Sequence, residues 1–188
     1  MSSPIAHAGL IALIWPGIRK GMRGRNEIRR PAALFGLILC ALMAPDGDVI
    51  LGPLRGKSIT EYHNGFSHSL TCAVLFAPLF GWLIYRVCGM PWRWGTLLSL
   101  ACYLSHLALD AFSVGRGILL FWPFSDARVA GPPVFFGVRH SVNAPWTTHA
   151  WTVVSDSLFA LSFLALSRAI YGRQRGAITA VAPQHPPP

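Results

Sequence analysis

Between Ser69 and Tyr85 the chain reads "SLTCAVLFAPLFGWLIY", seventeen residues without a single formal charge. Extended to residues 68–88, this run reaches the roughly 20 residues that an α-helix needs to cross the hydrocarbon core of a bilayer. Four further apolar runs lie at residues 4–18, 31–45, 94–112 and 150–170. The third, fourth and fifth runs are long enough to span. The first two, at about 15 residues or roughly 22 Å, are short spans, tilted re-entrant helices or an interfacial hairpin. Only 12% of the 188 residues are charged and 53% are hydrophobic. A soluble domain carries roughly a quarter charged residues, so this chain lacks the charge to cover a water-facing surface. The expected fold is all-α: a multi-span transmembrane helical bundle of about five apolar helices, the first two short.

The net charge is +9, and six of the sixteen Lys and Arg residues fall in "RKGMRGRNEIRR", residues 19–30. That density suits a cytoplasmic loop in contact with anionic lipid. No aromatic platform or binding motif accompanies it, so no direct nucleic-acid contact is expected. If all five runs cross, one side holds Arg19, Lys20, Arg23, Arg25, Arg29, Arg30, Arg86, Arg93, Arg168, Arg173 and Arg175. The other holds Arg55, Lys57, Arg116, Arg128 and Arg139. Eleven against five places the amino terminus outside and the carboxyl terminus in the cytoplasm. No basic stretch precedes the first apolar run, so it does not read as a secretory signal. Cys40, Cys72, Cys88 and Cys102 lie in or at the end of apolar runs, with no C-x-x-C, and read as packing residues. The aromatic segment 113–149, broken by Pro132 and Pro133, is expected to lie along the outer interface as a lid or collar. Residues 1–171 read as one membrane domain and 172–188, ending "APQHPPP", as a disordered Pro-rich tail.

On this topology most of the seven acidic residues and seven histidines gather at the outer ends of the runs. His7 opens the first. Asp46 and Asp48, in "PDGD", close the second. Glu61, His63 and His68 precede or open the third, and His106 and Asp110 lie toward the end of the fourth. His149 and Asp156 open the fifth. One intramembrane acid or histidine is costly; several at one level point to a mutually compensating site. Imidazole with carboxylate suits Zn²⁺, Mn²⁺ or Fe²⁺, whereas Mg²⁺ prefers oxygen.

Each element also has a plainer reading. His106 and Asp110 are an i, i+4 pair on one helix face, which a simple hydrogen bond within the bundle would also explain. "PDGD" is a natural turn, although carboxylates at a helix carboxyl end call for a cation. His7 alone could be a packing residue. Ser67 and Ser69 are placed to cap the third helix or to orient a ligand, Ser67 being the better cap. His149 and Asp156, seven apart, either orient ligands or pair with each other.

"AH" in the first helix, then "PDGD", "HNGFSHS", "HLALD" and "LLFWPFS" in that order, resemble the membrane-bound metal-dependent hydrolase family, also described as LexA-binding, inner-membrane-associated hydrolases. The resemblance covers residues 4–126. It implies a multi-span protein of the bacterial inner membrane with a metal centre built from His7, Asp46, Asp48, His63, His68, His106 and Asp110. Where the family commonly has Arg after the first His of the third motif and Thr before the second, this chain has Asn64 and Ser67. Ser67 keeps the hydroxyl, while Asn64 removes a positive charge available to an anionic substrate group. The expected activity is hydrolysis of an ester or phosphoester of an amphiphilic, lipid-like substrate near the outer face, using one or two divalent ions. Glu61 or Asp48 would act as general base. The competing readings are a non-enzymatic ion or proton transporter, or a regulatory partner, using the same residues. A haem held by two histidines fits less well, because carboxylates crowd the same positions.

Overall fold

The computed structural model describes residues 4–22, 28–57, 62–133 and 145–179. It is all-helical, with five long helices: α1 (Pro4–Met22), α2 (Pro31–Met43), α3 (Leu70–Cys88), α4 (Trp92–Ala111) and α5 (Trp146–Thr179). A 3₁₀ stretch, Ala44–Ile50, and one further turn, Leu51–Leu54, continue α2. Local chemistry sets the boundaries. Pro31 starts α2, where its missing N–H costs nothing. α3 begins at Ser69, whose hydroxyl accepts the Cys72 N–H at 3.2 Å, and stops at Gly89, which takes the left-handed conformation. Ser69, not Ser67, is therefore the cap. α5 continues seven residues beyond Gly172, where the sequence suggested a tail; residues 180–188 lie outside the described residues.

α3 and α4 form a tight antiparallel pair. A Cβ on Gly81 would stand 2.4 Å from the Thr96 nitrogen, and one on Gly95 would stand 2.9 Å from the Gly81 carbonyl oxygen. Small residues let these backbones meet, the usual device in apolar bundles. α2 packs against α1, α3 and α4, closing a core of Ile11, Leu34, Ile38, Leu42, Ile84 and Cys102. α1 and α5 run parallel, with Gly9 against Ala160 and Gly17 against Tyr171. Among the described elements, α5 packs only on α1. The outer surface is apolar: Val74, Leu75, Leu79, Trp82, Leu97, Leu158 and Leu161 are all exposed. Such a surface belongs in lipid. Cys40 is exposed on it, unlike the buried Cys88 and Cys102.

By length and composition, three described segments can cross a membrane: Pro31–Leu54, Leu70–Cys88 and Trp146–Gly172. Two sequence expectations change. The second run is not short, because its helical path continues through "PDGD" to 24 residues. The fourth is long enough but not among the sufficiently apolar segments. Its polar residues have gone inward, with Ser99, His106 and Asp110 buried. α1, at 19 residues, carries Arg19 and Lys20 near its end and also falls outside the three.

The Arg29 N–H donates to the Cys88 carbonyl at 3.2 Å, which brings the start of α2 to the end of α3. The ends of α2 and α4 and the starts of α1 and α3 meet at the opposite end. There the segment after α4 folds back over the bundle. Ile118 and Val129 form an antiparallel bridge, Leu70 N–H donates to the Leu120 carbonyl and the Thr71 hydroxyl to the Trp122 carbonyl.

Candidate metal centre

Two non-helical stretches deliver most of the chemistry. In the 3₁₀ stretch, three residues make a turn, so Asp46 and Asp48 face different directions. Asp48 is buried, while a quarter of the Asp46 side chain is exposed. In "HNGFSHS", Asn64 adopts φ 58°, a left-handed conformation that Asn tolerates better than most residues. A Cβ on Gly65 would sit 2.5 Å from the Tyr62 carbonyl oxygen, so only glycine fits there. Side chains from other segments hold this loop by its carbonyls. The Tyr103 hydroxyl donates to Ser67 at 2.6 Å, Arg128 Nη1 to Asn64 at 3.1 Å, and Arg116 Nη2 to His63.

Four side-chain atoms converge below the loop: Asp46 Oδ1, His68 Nε2, His106 Nε2 and Asp110 Oδ2, all within 4.8 Å of one another. His106 Nε2 lies 3.3 Å from Asp46 Oδ1 and 3.7 Å from Asp110 Oδ2. His68 Nε2 lies 3.3 Å from Asp110 Oδ2 and 3.6 Å from Asp46 Oδ1. A tetrahedron with metal–ligand bonds of 2.0–2.1 Å has edges of about 3.3–3.4 Å. The four His–Asp distances thus lie at or just above the edge of a four-coordinate N₂O₂ site. Both histidine nitrogens are buried and have no hydrogen bond of good geometry; each instead faces two carboxylate oxygens at 3.3–3.7 Å, pairs that either a proton or a cation would satisfy. These residues fit a divalent ion.

The rings are aimed by their other nitrogens. His106 Nδ1 donates to the Leu42 carbonyl at 2.7 Å, which turns the Nε2 lone pair toward the cluster. Asp48 accepts from His63 Nδ1 at 2.8 Å, from the Ser67 hydroxyl at 2.7 Å and from the Gly65 N–H at 3.2 Å, and lies 3.2 Å from His68 Nδ1. Asp48, His63 and His68 form a second group close enough to share an ion. The 2.8 Å contact there is a hydrogen-bond length, shorter than a tetrahedral edge. His63 Nε2 stands 3.7 Å from Asp46 Oδ1. His7 stacks on His106 at 3.8 Å between ring centroids and reaches Asp110 Oδ1 at 3.7 Å. Burial alone would discharge His68, but Asp110, Asp46 and Asp48 around its nitrogens outweigh it and push the ring up to about 11.

The structure therefore brings together His7, Asp46, Asp48, His63, His68, His106 and Asp110, with Ser67 bonded to Asp48. It does not bring in His149, which is exposed on the first turn of α5. His149 is in neither group, and its helix, α5, packs on α1 rather than on the elements that carry the cluster's carboxylates. Asp156 is buried, one turn before the Ala160 that packs on Gly9, and so faces α1; it is not in either group. Glu61 lies outside the described residues. Sequence reasoning missed Tyr103, Arg116, Arg128 and the Leu42 carbonyl. Nothing in the sequence pattern marked them.

Over 173 residues the chain is 29% identical to the Inner membrane protein YbcI of Escherichia coli (strain K12), an alignment spanning 86% of this chain and 80% of that protein. No solved structure matches at a significant level. The family described as YdjM inner membrane protein matches residues 1–181, nearly the whole length and every element of the centre, and the chain belongs to that family.

Proposed function

We propose that this protein is a membrane-embedded, metal-dependent hydrolase acting on an ester or phosphoester of an amphiphilic substrate. The observation that carries the reading is the convergence of Asp46, His68, His106 and Asp110, with all four His–Asp distances between 3.3 and 3.7 Å. These four would hold the ion, with zinc the best match to two imidazoles and two carboxylates. When bound, the ion supplies Lewis-acid polarisation of the ester oxygen and activation of water.

The remaining residues hold and aim. Asp48 fixes His63 and His68 together, a positioning role rather than that of a base, because its oxygens already accept from several donors. His63, held at Nδ1, stands beside the ligand set and is the group placed to move a proton. Residues 112–133 fold over the loop and limit access of water. Exposed Phe66, Phe112, Phe121 and Phe124 at this end suit a substrate with apolar chains. The positive-inside bias would put this end on the outer face of the inner membrane.

The test is metal content and hydrolysis of p-nitrophenyl esters by protein purified in detergent. About one zinc per chain is expected, with zinc and activity lost together in His68→Ala and Asp110→Ala. A parent protein that takes up no divalent metal overturns the reading.

A further inference from the structure

Residues 62–64 collect cations from two separate parts of the chain. Arg55 and Lys57 lie over the Tyr62 ring, at 5.5 and 5.7 Å from its centroid. Arg116 donates to the His63 carbonyl, and Arg128 to the carbonyls of Asn64 and Gly117, the latter at 2.9 Å. We propose that Arg116 and Arg128 form a phosphate-recognition site at the mouth of the centre, which takes the phosphate group of an amphiphilic substrate. This deepens the hydrolase reading and rests on it for the claim that the bound group is a substrate's.

Three observations support the site. First, both hydrogen bonds of Arg128 use one nitrogen, Nη1, and end on neutral carbonyls. A guanidinium has five N–H donors in a planar fork suited to phosphate. Second, Arg116 and Arg128 are both exposed and stand close enough for their like charges to oppose each other. A shared anion relieves such a like-charge pair. Third, one residue joins this site to the centre. His63 receives Arg116 on its carbonyl and presents its ring to Asp46 Oδ1 at 3.7 Å. Exposed Phe66 and Phe112 border the same loop end, where apolar chains would lie.

The phosphate could belong to a lipid headgroup or to a soluble molecule, and the experiment separates them. Full-length protein in non-ionic detergent, stripped of metal and then reloaded with zinc, is titrated with inorganic phosphate and with dihexanoyl phosphatidic acid. Dihexanoyl glycerol is the uncharged control. Saturable binding of a phosphate probe is expected even without zinc. It should weaken at least tenfold in Arg128→Gln and in the double variant Arg116→Gln, Arg128→Gln, and recover in part in Arg128→Lys. Tighter binding of phosphatidic acid assigns the site to a lipid headgroup, and tighter binding of inorganic phosphate to a soluble one; both support it. Unchanged zinc stoichiometry shows that the arginine variants are folded. If Arg116→Gln unseats the loop and zinc is lost, Arg128→Gln alone decides, with Arg128→Lys as its folded control. Equal phosphate binding by the parent and Arg128→Gln, or no binding above the glycerol control, overturns the proposal. Asp110→Asn tells the two readings apart: it should lose zinc and keep phosphate binding.

Discussion

At His68 both ring nitrogens face carboxylates, Nδ1 at 3.2 Å from Asp48 Oδ2 and Nε2 at 3.3 Å from Asp110 Oδ2. With the ring pushed up to about 11, the metal-free protein holds a proton there at neutral pH. A cation taking Nε2 must displace it, so zinc uptake near pH 7 should release about one proton, and apparent affinity should rise about tenfold per pH unit. Calorimetry in buffers of different ionisation enthalpy measures both. The same shift makes a stability prediction for the metal-free form. A raised pKa stabilises the fold fully below the ordinary value of 6.5 and loses that contribution as pH climbs toward about 11. Melting of the stripped protein in detergent should therefore fall across this window, and that of the zinc-loaded protein should not follow it. Asp48→Asn removes an ionised acceptor from both His63 and His68. It should weaken zinc binding by about 10–100-fold while leaving the helical content intact, as loss of an orienting carboxylate commonly does. The identities of the cluster residues were legible because acids and histidines are scarce in this chain. Their roles were not, since the turn of a 3₁₀ stretch and the donor nitrogen of a ring leave no mark in the sequence. Asp48 reads as a ligand and base; the structure adds that it accepts from His63, Ser67 and Gly65 and shares a second ion-sized group with His63 and His68.

The helices were foreseeable from the apolar runs, but two features of the elements were not. α4 was expected among the clearest spans. Apolar length alone does not separate a lipid-facing helix from one that turns Ser99, His106 and Asp110 into the bundle. α2 looked short because "PDGD" reads as a stop, whereas its backbone continues in 3₁₀ geometry to Ile50. Packing between elements gives a paired test. Gly81 has no room for a Cβ against Thr96, while a Cβ on Gly36 meets nothing within 4 Å. Gly81→Ala should destabilise by about 1–3 kcal/mol through overpacking. Gly36→Ala should gain about 0.5–1 kcal/mol from helix propensity. Thermal melts of the two variants in one detergent should shift in opposite directions.

For the whole molecule, the arrangement sets the cationic rim of Arg55, Lys57, Arg116 and Arg128 at the end opposite Arg29 and Cys88. Single cysteines at Lys57 and Lys20, with the native cysteines replaced, should label from opposite sides of the membrane. Lys57→Cys should react with an impermeant reagent added to intact cells whose outer membrane is permeabilised, and Lys20→Cys only after the inner membrane is opened. The Lys and Arg distribution predicts this orientation. It did not show that two of the arginines at this end grip a loop more than fifty residues away, because an exposed Arg beside aromatics looks like any interfacial residue.

The parallel contact of α1 with α5 has a consequence for how the protein is made. α1 finds its largest partner in α5, far along the chain. Asp46, His68, His106 and Asp110 are all translated before α5 begins. α1 also packs on α2 and α4, and His7 stacks on His106, with no help from α5. A nascent chain halted before residue 145 should therefore already assemble the centre with His7 in place, and α5 should dock afterwards against a finished site.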